Sequence, residues 1–209
     1  MPLFITFEGG EGSGKSVQAN TLYQRLLKLA IPAVLTYEPG GTPLGDKISR
    51  WLKWTNADIS PLTELLLFNA SRSQLVDTVI EPNLKNGKIV ICDRFTDSTT
   101  AYQGYGRGLD LKMVKKVTNA ASRGLKPDLT ILLDMPVAEG LARKSKTQDR
   151  FEKEGVTFHK RVRQGYLKLV AKEPERWLVV DARQSKEKVA EIIWGKVEQL
   201  VPHQGSESA

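Results

Sequence analysis

The chain has 209 residues, 40% of them hydrophobic and 26% charged, enough to bury one continuous core and about the size of a single α/β domain. No apolar run approaches the roughly 20 residues of a membrane span, and the lone cysteine, Cys92, excludes a disulfide within the chain. The net charge of +7 would suit a polyanion, but the basic residues fall into small separate groups (Lys112 to Lys116, Arg143 to Lys146, Lys160 to Arg163), which favours small phosphorylated ligands over nucleic acid.

The chain opens on Leu3 to Glu8, a β-rich apolar run, with no basic segment or cleavage site before it, so a cytoplasmic enzyme is expected. Gly9-Gly10-Glu11-Gly12-Ser13-Gly14-Lys15-Ser16 follows and meets the pattern G-x-x-x-x-G-K-[ST]; a helix over Val17 to Leu29 is predicted next. Strand, glycine loop and helix in this order turn backbone N–H groups onto an anion at the positive end of a helix, which is a polyphosphate site. Lys15 is expected on the β- and γ-phosphates. Ser16 is expected to offer its hydroxyl to Mg²⁺. His159 and His203 are too far apart to suggest a metal cage, so any metal should arrive with nucleotide.

Ala33 to Tyr37 reads as a second strand, ending in Glu38-Pro39-Gly40-Gly41-Thr42-Pro43, which is either an ordinary turn or a ligand loop at a strand's carboxyl end. A short helix passes through Ile48, Trp51 and Leu52. Ser60 and Pro61 then start a helix whose apolar spacing runs from Leu62 to Val79. Phe68 and Arg72 share one face of it, which fits a core aromatic beside a solvated cation as well as a ligand-reading pair. Lys88 to Cys92 is a third strand, apolar from Ile89 onward, with Asp93-Arg94-Phe95 at its carboxyl end. There the acid could hold a magnesium-bound water and the guanidinium clamp a phosphate, or the two could simply pair. Thr96 to Gly108 is dense in polar and aromatic residues, suited to a planar polar ligand.

Leu111 to Arg123 reads as a helix stopped by Gly124, and Asp128 to Leu133 as a fourth strand. Asp134 is then either a second metal-organising carboxylate or the cap of a helix starting near Pro136. Arg143 to Arg150 is polar and basic without periodicity, as a lid over phosphates or a solvated loop would be. Phe151 to Lys172 is predicted as a long helix, Trp177 to Val180 as a fifth strand, Ser185 to Leu200 as a closing helix, and 202–209 as a disordered tail.

With the phosphate loop, Glu38 to Pro43, Leu67 to Arg72, Asp93-Arg94-Phe95, Ala101 to Gly104, Asp149 to Glu152 and Val180 to Ala182 in this order, nearly the whole chain resembles the thymidylate kinase family. The resemblance implies a P-loop α/β fold over 1–201 with a lid near 143–150 and a five-stranded parallel sheet in the order 2-3-1-4-5 with helices on both faces. It implies transfer of the γ-phosphoryl of ATP to dTMP, Mg²⁺ as cofactor, and a homodimer that binds neither nucleic acid nor membrane. Gly9 to Ser16, Arg143 and Arg150 would then bind ATP, and Ser16 and Asp93 would organise the metal. Glu11, Glu38, Phe68, Arg72, Arg94, Thr99, Tyr102 and Gln103 would bind dTMP, with Phe68 stacked on the base, Arg72 on a base carbonyl, Tyr102 excluding a ribose 2′-hydroxyl and Arg94 on the acceptor phosphate. Lys15, Arg94, Asp93, Glu11 and Arg143 would serve the transfer itself. Since no cation adjoins Glu11, the chain is similar to the bacterial type whose lid supplies an arginine, although Ser145 and Thr147 stand where such lids often carry one. The alternatives are a kinase for another nucleotide, a GTP-dependent switch, for which the guanine-reading Asn-Lys-x-Asp is absent, and a DNA-acting ATPase.

Overall fold

Five apolar segments pair in parallel as one sheet in the order β2-β3-β1-β4-β5: β1 (Leu3–Glu8), β2 (Ala33–Tyr37), β3 (Ile89–Asp93), β4 (Leu129–Asp134) and β5 (Trp177–Asp181). The computed structural model describes residues 2–55, 57–143 and 149–201. Residues 144–148 of the expected lid and the expected tail at 202–209 lie outside them. No helix among the described residues is long and apolar enough to cross a membrane.

Side chains alternate across the sheet. Leu3, Ile5 and Phe7 point to one face, where they meet Leu22 and Leu26 of α1 (Lys15–Lys28) and Ile193 and Val197 of α9 (Lys186–Val197). On the other face Phe4, Val90 and Cys92 meet Leu75 of α3 (Pro61–Leu75), the adjoining Val76 and Ile80, and Phe95. Leu132 and Trp177 lie there beside Phe158, Val162 and Tyr166 of α8 (Val156–Lys172). Register brings the carboxyl ends together: Asp93 is level with both Phe7 and Tyr37, and Asp134 with Asp181. The loops leaving β1, β2 and β3 therefore converge at one edge, where ligands of open α/β sheets bind.

Several boundaries differ from the predicted ones. α2 runs Pro43–Trp54, because the Thr42 side chain accepts from Gly45 N at 2.9 Å and caps a helix that Pro43 opens. α3 continues through a wider π turn, Val76–Ile80, into α4 (Glu81–Lys85); the wide turn ends two residues before Pro82, which has no N–H for a regular ladder. The polar stretch after Phe95 is helical, α5 (Thr96–Thr99) passing into a π segment, Thr100–Gly106. α6 (Leu111–Ser122) is capped by Asp110. α7 spans Val137–Ala142, and Asp134 before it pairs with Arg163 at 2.7 Å instead of capping it. The helix expected from Phe151 starts only at Val156. Asp149 accepts from the N–H groups of Phe151 and Glu152, both at 2.9 Å, and the Glu152 carboxylate returns to Asp149 N, closing a separate turn.

Candidate active site

The phosphate loop joins the carboxyl end of β1 to the N-terminus of α1. Gly12 has φ of 70°, and a Cβ on it would lie 2.1 Å from the carbonyl oxygen of Gly140 in α7, so only glycine lets the loop approach that helix. Lys15 is buried, with its Nζ donating to Gly10 O at 2.7 Å. Burial and the neighbouring Arg94 lower its pKa to about 8, against the pull of Glu11, Asp93 and Glu8.

The Ser16 hydroxyl donates to Asp93 Oδ2, joining the loop to the end of β3. Asp93 Oδ1 is buried without a hydrogen-bond partner among the described residues, and these include no cluster of His, Cys, Asp or Glu that could cage a metal. One hydroxyl and one carboxylate with a spare lone pair fit a hydrated hard cation that shares its shell with phosphate oxygens.

Arg94 adopts φ of 73°, a left-handed conformation uncommon for a side chain of this size, and its N–H donates to Phe7 O at 2.9 Å. That conformation turns the guanidinium across the phosphate loop. Nη2 meets Glu11 Oε1 at 2.8 Å, and the ring of Tyr102 lies 5.1 Å below. The Tyr102 hydroxyl donates to the same Glu11 oxygen. Burial alone would raise the Glu11 carboxyl, but Arg94, Lys15 and the Tyr102 hydrogen bond outweigh it and lower the pKa to about 2. Beneath this trio lies Glu8, which accepts from Phe95 N at 2.9 Å, Ser98 Oγ at 2.6 Å and Tyr166 at 2.8 Å, so it caps α5 from another element. Burial first, then Asp97, raise its pKa to about 7.

At the other end of the cleft Arg72 is 1% exposed, and its Nε donates to both Glu38 oxygens at 2.9 and 3.1 Å. Further bonds reach Asn69 Oδ1 at 3.0 Å and Phe95 O at 3.1 Å. Half-buried Phe68, one turn before Arg72 on α3, meets Phe151 edge-on with centroids 5.5 Å apart. Thr99 and Gln103, from α5 and its π continuation, are nearly fully buried.

One cleft of about 540 Å³ runs past both ends, lined by Glu11, Gly12, Gly14, Lys15, Ser16, Asp93 and Arg94 on one side and by Glu38, Phe68, Arg72, Thr99, Tyr102 and Gln103 on the other. Gly9, Gly10 and Ser13 shape the loop behind that lining. Arg143 and Arg150 do not line it. Arg143 Nη1 donates to Ala182 O at 3.1 Å, while Arg150 donates to Leu52 O at 2.9 Å and to Glu64 at 2.6 Å. Lys53, Ser98, Asp149 and Phe151 also line the cleft and were not singled out as site residues by the sequence. Asp149 and Phe151 lay within the family-like Asp-Arg-Phe-Glu run, whereas Lys53 carries no local signal.

A central phosphate loop, an arginine reaching over it from the neighbouring strand end and one cleft that continues from that loop to Phe68, Arg72 and Gln103 define a P-loop phosphotransferase of the nucleoside monophosphate kinase class. The family model described as thymidylate kinase matches residues 7–193, and a thymidylate kinase of Dehalococcoides mccartyi (strain CBDB1) is 62% identical over 184 residues, covering 87% of this chain and 88% of the relative. The chain belongs to the thymidylate kinase family. A further relative, the thymidylate kinase of Deinococcus radiodurans, is 46% identical, with 93% of this chain and 96% of the relative covered. Among solved structures, the thymidylate kinase from Ehrlichia chaffeensis superposes with a TM-score of 0.76 at 33% identity, covering 96% of this chain and 99% of that one.

Proposed function

We propose that ATP lies along Gly9 to Ser16 with dTMP in the pocket of Phe68, Arg72, Thr99, Tyr102 and Gln103, so that the acceptor phosphate and the γ-phosphoryl meet between Arg94 and Lys15. The reaction is that of the family: the chain is an ATP:dTMP phosphotransferase that forms dTDP. The observation that carries the placement is the single cleft joining the phosphate loop to the aromatic and arginine-lined pocket.

Phosphoryl transfer asks for in-line positioning and neutralised oxygens. Lys15, fixed by Gly10 O, offers a point charge. Arg94 offers a fork that Glu11 and Tyr102 orient. Phe68 gives the base a flat apolar face, with Arg72 set behind it by Glu38. Ser16 and Asp93 would hold Mg²⁺ through its waters, and bound Mg²⁺ supplies charge neutralisation across the phosphate oxygens.

The same reading takes 1–201 as one domain with a lid at about 143–150, and takes the enzyme to be cytoplasmic, where buried Cys92 stays reduced. It also takes the protein to be a homodimer. Trp51 and Trp54 of α2 and Leu62 and Leu66 of α3 leave large apolar side chains in solvent, which supports association on that side. The test is a panel of nucleoside monophosphates with ATP and Mg²⁺, followed by diphosphate formation. Thymidylate is expected to have the highest kcat/KM, and comparable values for purine monophosphates would sink the reading.

A further inference from the structure

Glu64 stands in the first turn of α3, is not part of the cleft lining, and its side chain is 0% exposed. Its oxygens accept four hydrogen bonds: Oε1 from Gln103 Nε2 at 2.8 Å and Arg107 Nε at 3.1 Å, Oε2 from Arg107 Nη2 at 3.1 Å and Arg150 Nη2 at 2.6 Å. A carboxylate has about four lone-pair positions, so this one is saturated. Arginine can only donate. Gln103 is the one partner with two possible senses, and a carboxylate facing two guanidiniums has no hydrogen to give it. The amide must therefore turn its NH₂ toward Glu64. Its carbonyl oxygen, which accepts no hydrogen bond from the described residues, is left for the cleft that Gln103 lines with Phe68 and Thr99.

We propose that Glu64 is a positioning residue for base selection: by fixing the sense of the Gln103 amide it makes this wall of the pocket a hydrogen-bond acceptor. Such a wall favours a pyrimidine whose ring nitrogen carries a hydrogen, as the imide of thymine and uracil does. It disfavours cytosine, whose ring nitrogen presents a lone pair. The inference rests on the reading of this cleft as the acceptor pocket. The discrimination is of the strong kind, because the wrong base leaves two buried acceptors facing each other.

Glu64→Gln tests it. The new side chain's carbonyl stays where Arg150 and Arg107 Nη2 both donate, while its NH₂ falls on the other side, where it forfeits the one bond from Arg107 Nε and turns the Gln103 amide over. Steady-state kcat/KM for dTMP, dUMP and dCMP with ATP is measured for the wild type and variant. We expect the dTMP:dCMP ratio to fall by at least about tenfold while the dTMP:dUMP ratio stays within about twofold, since both carry the same imide. Arg107→Met loosens the same cluster without reversing the amide, and should lower the melting temperature while keeping both ratios. If Glu64→Gln fails to fold, Gln103→Leu, which leaves Glu64 with its two arginines, should show the same loss of discrimination against dCMP. An unchanged dTMP:dCMP ratio in an active variant, or an equal fall in Arg107→Met, overturns the proposal. A wild type inactive on dTMP would instead overturn the functional reading, and this inference with it.

Discussion

Arg94 Nη2 lies 2.8 Å from Glu11 Oε1, so the arginine after β3 and the acid of the phosphate loop form one buried unit, closed by the Tyr102 hydroxyl on the same oxygen. The Glu11 carboxyl, depressed to about 2 from 4.5, contributes stability that is complete above about pH 4.5 and is lost only as pH falls through about 2. The pair should therefore be intact over the whole working range. Glu11→Gln is expected to cost on the order of 3 kcal/mol, the depression at about 1.4 kcal/mol per pKa unit, in urea unfolding between pH 5 and 6, below the range in which Lys15, which Glu11 also supports, begins to titrate. It should also lower kcat/KM for dTMP by roughly tenfold as Arg94 loses its guide. A stability difference that varies between pH 5 and 6 would refute this account of the pair.

Lys15 is the reverse case, a cation that burial and Arg94 push down to about 8. The protein forgoes some native stability to keep it charged near neutrality, so Lys15→Ala should leave the melting temperature unchanged or raise it. Turnover should drop by more than about 10²-fold, the cost of losing one preorganised charge. A folded Lys15→Ala protein with wild-type kcat would mean that this loop does not hold the transferred phosphate.

Glu8 adds a pH dependence of opposite sign to that of Glu11. Its raised pKa means that the native state binds the extra proton between about 4.5 and 7, so Glu8's contribution is fully present below pH 4.5 and lost as pH rises through about 7. The groups facing it are Asp97 and Ser98 of α5, Tyr166 of α8 and the Arg94 guanidinium. Glu8→Gln removes the titration but keeps an acceptor for Phe95 N. The variant's melting temperature should decline less between pH 5 and 8 than that of the wild type, and parallel curves would refute the assignment.

The sheet and the phosphate loop were readable because their signals are local. Ile89 to Cys92 is apolar without interruption, and Gly9 to Ser16 is a contiguous pattern with glycine at the three positions, 9, 12 and 14, where the backbone takes a positive φ. Glu64 was not readable, since its partners Gln103, Arg107 and Arg150 lie 39, 43 and 86 residues away. The late start of α8 was missed for a related reason. Asp149 competes locally for the N–H groups of Phe151 and Glu152, and apolar periodicity does not register that competition.

Phe68 and Arg72 share a helix face but differ in what their loss exposes. Arg72→Ala strands the Glu38 carboxylate in the core, so it should destabilise the fold by about 3–5 kcal/mol as well as raise KM for dTMP. Phe68 is half-buried against Phe151, and Phe68→Ala should raise KM for dTMP by roughly tenfold or more with less effect on unfolding. KM for ATP should hardly change in either. An equal loss of ATP affinity in Phe68→Ala would move the acceptor pocket elsewhere.

The two arginines flanking 144–148 are engaged differently, and that difference separates their expected roles. Arg150 gives Nη2 to buried Glu64 and Nε to Leu52 O, and its guanidinium lies 4.6 Å from the Phe151 ring, so it fastens the turn that follows to α2 and α3. Among the described residues the Arg143 side chain makes one hydrogen bond, to the carbonyl of Ala182, and Arg143 stands at the end of α7, the helix whose Gly140 lies against the phosphate loop. A single neutral acceptor holds a guanidinium far less firmly than a carboxylate does. Arg143 is thus the one free to exchange its contact for phosphoryl oxygens. Since Gly10, Gly12 and Ser13 around Glu11 in the sequence include no cation, an arginine supplied here would act in cis, with a benefit of up to about 10³ in kcat. Arg143→Ala should then lower single-turnover transfer with little change in dTMP binding, and Arg143→Lys should recover part of it, because lysine keeps the charge and loses the planar fork. Arg150→Ala should instead lower the melting temperature and raise KM for dTMP. Wild-type transfer in Arg143→Ala beside crippled transfer in a stable Arg150→Ala would reverse the assignment, and unaffected transfer in both would leave the neutralisation to Lys15, Arg94 and the metal.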